Sequence, residues 1–392
     1  MINQDKIDEW IREAEERPAS ATILIRYIAN RLKSLAERNE ELLAENVQLY
    51  TGAWVADYEA QIAQLQYQLE LLKRQVSGDP AGPAAAPPPP ERLNVILYTA
   101  HGAVLRLELD PTSLQHGQVV AQVASLDAGG PELGLLAAGS QEELLLLFDT
   151  GRTVTCPVAS IPPAGAAPDW SQAYWEEPRG AENLAVVAPI GRMALAESCV
   201  QVSRKGWVKR MLRSGLETYL TKNYIGTGVK LPKDRSCALL LGDKDDRLVL
   251  ASRQGFLLGV ELQRFSYTSE ETLRLGRSDY VAASFIAGDK PLLTLLTHNG
   301  KVLSREAGWL KPLSAETPKG RGQAVISEER RRAGVHLVGA AAVDPADWGV
   351  ILDRAGRLTV YSMQALLDAG AVPGAQELLG LAVFAAPAGG AA

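Results

Sequence analysis

Short apolar runs separated by polar turns make up the chain from residue 92 onward. In the clearest case, apolar and polar residues alternate up to Ser203, Lys205-Gly206 interrupts the run, and Trp207-Val208 opens the next one. Because glycine accepts a positive φ without strain, two strand-like runs on either side of such a pair predict a β-hairpin.

The same hairpin pattern recurs at a nearly constant spacing of about fifty residues, with its turn glycines at Gly102, Gly151, Gly206, Gly255, Gly300 and Gly356. In five of the six copies, Thr, Ser or Asp lies three residues before the glycine, where a short polar side chain can bond to the turn backbone; Phe148 is the exception. Six copies at this period predict a repeat architecture.

A second apolar run precedes the hairpin in at least the last three repeats, at residues 238–243, 283–289 and 337–343. Roughly four strands per repeat is typical of one blade of a radial β structure, and six blades would close a ring that removes most exposed sheet edges. We therefore predict an all-β, six-bladed β-pinwheel or propeller-like domain over residues 92–385, preceded by an α-helical coiled coil.

Residues 20–77 follow a helical pattern instead. Positions in alternating steps of three and four form a coiled-coil seam at Ile25, Ile28, Leu32, Leu35, Asn39, Leu42, Asn46 and Leu49. Asn39 and Asn46 both fall at position a, where asparagines satisfy each other in an in-register parallel pair. The seam therefore predicts that the protein forms a parallel dimer.

Gly52 interrupts this helix, and the seam resumes in a shifted phase at Tyr58. The shift fits a long dimeric coiled coil with a stutter or a helical hairpin folded at Gly52. A lone amphipathic helix lying on the C-terminal domain is the third alternative.

Residues 1–19 form a charged segment, and the Pro/Ala-rich residues 78–91 predict a stiff, extended linker.

Composition restricts the class of protein. No apolar run approaches the about 20 residues of a membrane span, and the N-terminus lacks the apolar core of a signal peptide, so we expect a cytoplasmic protein with no membrane partner. Cys156, Cys199 and Cys237 are predicted to be buried thiols. Metal-ligand spacings, phosphate loops and nucleophile-elbow motifs are absent, so the sequence predicts neither a cofactor nor an enzyme.

Charge is unevenly distributed along the predicted domain. Residues 190–235 carry ten basic residues against three acidic ones, whereas residues 94–189 carry three against eleven. A domain polarised in this way presents one side to a polyanion and repels it elsewhere. Trp207 and Tyr224 are candidates for stacking on a base, and packing within the blades is the alternative for both rings.

The hairpin at residues 203–210 (Ser-Arg-Lys-Gly-Trp-Val-Lys-Arg) is followed by a glycine-spaced loop at 224–231 and by Gly242-Asp243 before the next strand. This order resembles the C-terminal domain of the DNA gyrase A protein and its topoisomerase IV counterpart, and residues 297–305 and 318–325 fit the same pattern. The resemblance covers about residues 92–380. It implies a six-bladed β-pinwheel that wraps duplex DNA around a basic outer rim.

The sequence also departs from this family. The family's wrapping heptapeptide has no intact copy, because residues 222–228 and 319–323 are degenerate versions of it. We also expect no counterpart of the family's catalytic half. Arg26-Tyr27 has the letters of the family's nucleophile pair but lies in the heptad pattern, where it predicts helix surface. The sequence therefore predicts DNA binding without strand cleavage.

The predicted DNA contacts are the basic residues of the strongest repeats, namely Arg204, Lys205, Lys209, Arg210, Arg213, Lys222, Lys230, Lys233, Arg235, Lys301, Arg305, Lys319 and Arg321. The function predicted is sequence-tolerant binding of double-stranded DNA by a dimer associated with the nucleoid, as an architectural protein or an accessory to a topoisomerase. A protein-interaction scaffold that does not bind DNA is the alternative from another class. A regulator that docks on DNA gyrase or another protein partner through its helices is a third.

Overall fold

A computed structural model describes residues 12, 25–26, 30, 92–110, 112–123, 133–226, 234–265, 267–313, 319–375 and 377–385, and the chain divides into two units, Met1–Pro89 and Pro90–Ala392. In the first unit, Ile25 is helical and 66% exposed. The linker and the other members of the predicted seam lie outside the described residues, namely Ile28, Leu32, Leu35, Asn39, Leu42, Asn46 and Leu49.

The second unit is built from strands, with three short α-helices among its described residues. The helices are α1 (Arg213–Thr221), α2 (Glu328–Arg332) and α3 (Met363–Ala369). The strands are β1 (Leu93–Thr99), β2 (Ala103–Leu109), β3 (Gln118–Gln122), β4 (Leu133–Gly139), β5 (Glu143–Phe148), β6 (Thr153–Pro157), β7 (Tyr174–Trp175), β8 (Leu184–Pro189), β9 (Ser198–Ser203), β10 (Trp207–Leu212), β11 (Ser236–Gly242), β12 (Arg247–Ser252), β13 (Phe256–Glu261), β14 (Glu270–Glu271), β15 (Val281–Ile286), β16 (Leu292–Thr297), β17 (Val302–Glu306), β18 (Gln323–Ala324), β19 (Leu337–Val343), β20 (Trp348–Asp353), β21 (Arg357–Ser362) and β22 (Leu378–Phe384).

These strands form six antiparallel sheets, each built around one of the six hairpins in the sequence. In chain order of their hairpins, blade 1 has the strand order β4-β1-β2-β7, blade 2 β6-β5-β8, blade 3 β11-β9-β10-β14, blade 4 β15-β12-β13-β18, blade 5 β17-β16-β19 and blade 6 β22-β20-β21-β3. The predicted six-bladed architecture is confirmed. The first two repeats, whose sequences match the pattern least, form blades like the others.

The turn glycines have the conformation that the sequence predicts. All six lie at φ between 80° and 96°, and each donates its amide to the carbonyl three residues earlier. The polar side chain at that earlier position then accepts a second turn amide, as Ser203 does from Trp207 at 3.0 Å and Asp353 from Arg357 at 3.0 Å. The repeated spacing of glycine and hydroxyl or carboxylate is therefore a hairpin device.

The outer strand of each blade is supplied by the chain that follows the next hairpin. Thus β7 completes blade 1, β14 completes blade 3, β18 completes blade 4, and β3, which follows the blade 1 hairpin, completes blade 6. Single bridges fill the same place in the other two blades, Arg152 with Tyr224 in blade 2 and Lys301 with Ala371 in blade 5. Neighbouring blades are therefore linked by exchanged segments all the way round.

The apolar runs are continuous because neighbouring blades cover both faces of a strand. Leu144 and Leu146 of β5 pack with blade 1, whereas Leu145 and Leu147 pack with blade 3, and all four are fully buried. Burying one such side chain contributes about 1.5–3 kcal/mol. The same kind of core joins β1 and β2 to β20, β21 and β3, so blades 1 and 6 are packed together and the ring is closed.

Candidate nucleic-acid interface

Two arginines occupy the same place in successive blades, two residues before the turn glycine. Arg204 lies in the blade 3 turn and Arg253 in the blade 4 turn. Their guanidinium carbons lie 4.1 and 5.7 Å from the ring centre of Tyr280. The backbone fixes this arrangement, because Arg253 N donates to Tyr280 O at 2.8 Å and Val281 N donates to Arg204 O at 2.9 Å.

A second pair of arginines lies on the ring of Phe256, the first residue of β13. The guanidinium carbons of Arg321 and Arg331 are 4.4 and 4.5 Å from its centre. Arg321 is exposed and lies just before β18, while Arg331 belongs to α2 and donates Nη1–H to the Ile326 carbonyl at 2.9 Å. An aromatic face attracts a cation electrostatically, and such a contact contributes about 0.5–1 kcal/mol of favourable interaction energy at exposed sites. The ring therefore restrains the guanidinium.

These side chains meet in one cavity of about 480 Å³ beside the blade 4 turn. Its lining is Arg253, Gln254, Arg321, Glu328, Arg331, Arg332, Gly334, Val335 and His336. We call the arginines of this cavity, together with Arg204, His336 and the two supporting rings, the turn-end cluster. It draws its residues from three successive repeats, so the exchange of outer segments between blades is what assembles it.

Three of the four cavity arginines lack a neutralising carboxylate in the described part of the chain. Glu328 pairs with Arg332. Arg253, Arg321 and Arg331 have no carboxylate partner within the described ranges. A guanidinium that is desolvated on one face by a ring and lacks a counter-ion favours an incoming anion.

Blade 2 shows the opposite arrangement at its own turn, where an arginine directly follows the turn glycine. The guanidinium of Arg152 also lies over an aromatic ring, with its carbon 3.7 Å from the centre of Phe148. Here two carboxylates neutralise it, Glu176 at 2.8 Å and Glu182 at 2.6 Å. In this acidic part of the domain, Arg152 is therefore neutralised by its neighbours, unlike Arg253, Arg321 and Arg331.

Two stacked histidines adjoin the cavity. The rings of His298 and His336 lie 4.0 Å apart and 5° from parallel, and His336 N approaches His298 Nδ1 at 3.3 Å. Burial lowers the pKa of His336 below its ordinary value of 6.5, and the charges of Arg253 and His298 lower it further, against an opposing hydrogen bond to the Gly334 carbonyl. His336 is therefore neutral at pH 7.

One predicted DNA contact, Arg210, is buried instead of exposed. It is 9% exposed, and its Nη1 donates to the Leu262 carbonyl at 3.4 Å, at the start of the 3-10 helix Leu262–Arg264 of the next blade. Arg106, at the same repeat position in blade 1, bonds the Val158 and Ile161 carbonyls in the same way. Arg210 thus links two blades. The sequence did not reveal this role, because a basic residue four positions after a turn glycine is expected to lie on the surface.

The remaining predicted contacts are distributed around the domain. Lys230 and Lys233 lie outside the described residues, and Arg235 is half-buried at the start of β11. Lys209 donates to the Gly226 carbonyl at 3.3 Å and Lys205 to that of Asp279 at 3.3 Å. The exposed members with other neighbours are Arg213 beside Glu217, Lys222 after α1, Lys301 at the blade 5 turn, Arg305 over Trp309 and Lys319 paired with Glu271.

The two aromatic candidates lie on different blades. Trp207 is half-buried at the start of β10 in blade 3, where it pairs with Glu271 of β14. Tyr224 is 52% exposed and bridges to Arg152 of blade 2. Tyr224 thus has an open ring face, whereas much of Trp207 is covered by its own domain.

Sequence reasoning missed Arg253, Arg331, Arg332 and His336. The first was detectable, because aligning the hairpins on their glycines places Arg253 at the position of Arg204. The two arginines of α2 were hidden by their neighbours, since residues 328–332 read Glu-Glu-Arg-Arg-Arg and look nearly balanced in charge. Only the fold shows that Arg331 reaches Phe256.

None of the helices within the described ranges is long and apolar enough to span a membrane. No protein-family model and no curated protein matches the chain.

Solved structures do match this fold. The structure of the DNA gyrase A C-terminal domain is 16% identical, with a TM-score of 0.59 over 74% of this chain and 99% of that one. The C-terminal domain of DNA topoisomerase IV is 17% identical, with a TM-score of 0.48 over 76% of this chain and 94% of that one. The E. coli ParC C-terminal domain is 15% identical, with a TM-score of 0.34 over 75% and 99%. The chain therefore has the fold of the gyrase A C-terminal domain, as the sequence resemblance implied.

Proposed function

We propose that the protein binds double-stranded DNA without cutting it, through the turn-end cluster. The observation that carries this proposal is that Arg253, Arg321 and Arg331 converge on one cavity without carboxylate partners in the described part of the chain. Guanidinium groups match phosphate oxygens in geometry as well as charge. The fold of the gyrase A C-terminal domain supports the same conclusion.

Binding of this kind is electrostatic and tolerant of sequence. Each cation that neutralises a phosphate releases a condensed counter-ion, so the affinity falls steeply with salt. Phosphate contacts position a protein on the duplex without reading base edges. Because Tyr280 and Phe256 already hold the guanidiniums in place, less side-chain entropy is lost when a phosphate binds.

The proposal includes dimerisation through residues 20–77. A parallel pair joined to two ring domains by proline-rich linkers would bring two turn-end clusters to one duplex or to two, which raises avidity without tightening any single contact. The role we propose is therefore structural, either bridging DNA or serving a topoisomerase.

The test is a mobility shift of random-sequence duplex with the full chain, at low and at physiological salt. The site variant Arg253→Glu with Arg321→Glu is compared with the control Arg192→Glu with Lys244→Glu. Arg192 and Lys244 are exposed, and they follow β8 and β11 at the end of the blades away from the turns. Both double variants therefore change the net charge equally and differ only in where the charge lies.

We expect the wild-type affinity to fall with salt and the site variant to lose binding while the control keeps most of it. Each removed phosphate contact should lower the slope of log affinity against log salt by about 0.9. Equal losses in the two variants would mean that total charge, and not the turn-end cluster, drives binding. Absence of binding at low salt would refute the proposal and favour a protein-binding scaffold.

A further inference from the structure

The cavity of the turn-end cluster is lined by basic side chains from several segments of the chain. Four guanidinium groups surround it, from the blade 4 turn, the segment before β18 and helix α2, namely Arg253, Arg321, Arg331 and Arg332. Its volume of about 480 Å³ lies within the range of sites that enclose a small ligand or the end of a larger one.

The donors of this cavity are side chains. The amide of Gln254 is taken by Asp279 at 3.1 Å, and those of Gly334 and Val335 by the carbonyls of Arg331 and Arg330. Gly334 has φ +85°, and a Cβ placed there would meet nothing within 4 Å, so the wall at this point is low. A ligand entering over Gly334 meets the guanidiniums directly.

The charge of the cavity exceeds what one bridging phosphate needs. With Glu328 paired to Arg332, three guanidiniums are left for the ligand. A phosphodiester carries one negative charge and two free oxygens, whereas a phosphomonoester carries about 1.5–2 charges and three strong acceptor oxygens at pH 7. The second group matches three guanidiniums better.

We propose that this cavity binds a phosphomonoester, either the terminal phosphate of a DNA end or the phosphate of a free nucleotide. The inference rests on the proposed function in assigning these arginines to nucleic acid, and it adds the chemical class of ligand. His336 lines the same wall, so a bound phosphomonoester faces a neutral imidazole at pH 7.

The experiment uses the full chain and a fluorescent duplex with 5′-hydroxyl ends, displaced by unlabelled duplexes of the same sequence that carry 5′-phosphate or 5′-hydroxyl ends. Calorimetry with inorganic phosphate and with a nucleoside 5′-monophosphate forms the second arm. We expect the phosphorylated ends to compete at least about tenfold better, because the added hydrogen bonds are charge-assisted.

The variant Arg331→Gln should reduce this preference to within about twofold, whereas Arg192→Gln should keep it. Binding of the free phosphate compounds as tightly as the phosphorylated end would support the cavity and identify a nucleotide as its ligand. Equal competition by both duplexes, with no binding of either free compound, would overturn the inference and leave the proposed function intact. Binding of a free compound without binding of any duplex would support the phosphomonoester site and overturn the proposed DNA-binding function.

Discussion

The imidazole rings of His298 and His336 lie face to face, 4.0 Å between centres, although 38 residues separate them in the chain. His298 is at the blade 5 turn and His336 immediately precedes β19, so the stack is the blade 5 form of the contact that Arg253 and Tyr280 make in blade 4. A proton on His336 would place a positive charge near the guanidinium of Arg253.

Stability should therefore depend on pH through His336. Its folded pKa is lowered mainly by burial, so the unfolded chain takes up the proton first. The free energy of unfolding should fall as the pH drops through the ordinary value of 6.5 and level off below the lowered folded pKa. Thermal unfolding across this window should show a flatter pH dependence in His336→Gln. The control His101→Gln, at an exposed turn position, should keep the wild-type slope.

Gly356→Ala should destabilise the domain more than Gly117→Ala. Both glycines have positive φ, 80° and 78°, so both substitutions incur the left-handed penalty of about 1–2 kcal/mol. A Cβ at 356 would lie 2.3 Å from the Val123 carbonyl oxygen, whereas one at 117 meets nothing within 4 Å. We expect a further about 1–3 kcal/mol for Gly356→Ala, measured by urea unfolding. If both variants lost the same unfolding free energy, the backbone at Val123 would have moved aside without cost.

Closure of the ring should depend on the inward face of β3. Ala121 is 2% exposed in the core between blades 1 and 6, and Val119 on the same strand is 52% exposed. Ala121→Asp buries a charge without a partner and should lose several kcal/mol, about 3 or more, while Val119→Asp should stay within about 0.5 kcal/mol. Limited proteolysis compares the two variants. Equal cleavage of both would contradict the packing of blades 1 and 6 into a closed ring.

Arg204 and Arg210 should separate binding from stability. Arg210→Met removes the hydrogen bond to Leu262 and should lower the unfolding free energy by about 1–2 kcal/mol while leaving DNA affinity within about twofold. Arg204→Met removes a guanidinium from the turn-end cluster and should weaken DNA binding several-fold, with a stability change of about 0.5–1 kcal/mol. The measurements are DNA titration for affinity and urea unfolding for stability, made on both variants. If Arg210→Met weakened DNA binding and Arg204→Met lowered stability, the roles given to the two arginines would be exchanged.

The hairpins could be predicted because their signal is local. A glycine with positive φ and a polar residue three before it are fixed by bonds within five residues, as at Ser203 and Gly206. The exchange of outer strands was not predictable in the same way. Strands β7, β14 and β18 have two residues each, too short for any periodic pattern, and their partners lie a repeat away.

The residues of the candidate site also fall into those that a local sequence signal reveals and those that only the fold brings together. Arg204 and Arg321 stand out in sequence because glycine and few acids surround them. Arg331 requires the fold, since its contact with Phe256 spans most of two repeats. The apolar runs before the last three hairpins are real strands, but they pair with the preceding hairpin, as β11 does with β9. Chain order alone does not assign an inner strand to its sheet.

Closure through β3 has a consequence for protein synthesis. This strand leaves the ribosome early, whereas its partner β21 is completed about 240 residues later, which takes about 10–50 s at about 5–20 residues per second. During that time the nascent chain carries an unpaired strand edge, the kind of surface on which chains aggregate. The sixth blade cannot be completed before translation of the domain is nearly finished, so the timing of synthesis determines when the ring closes.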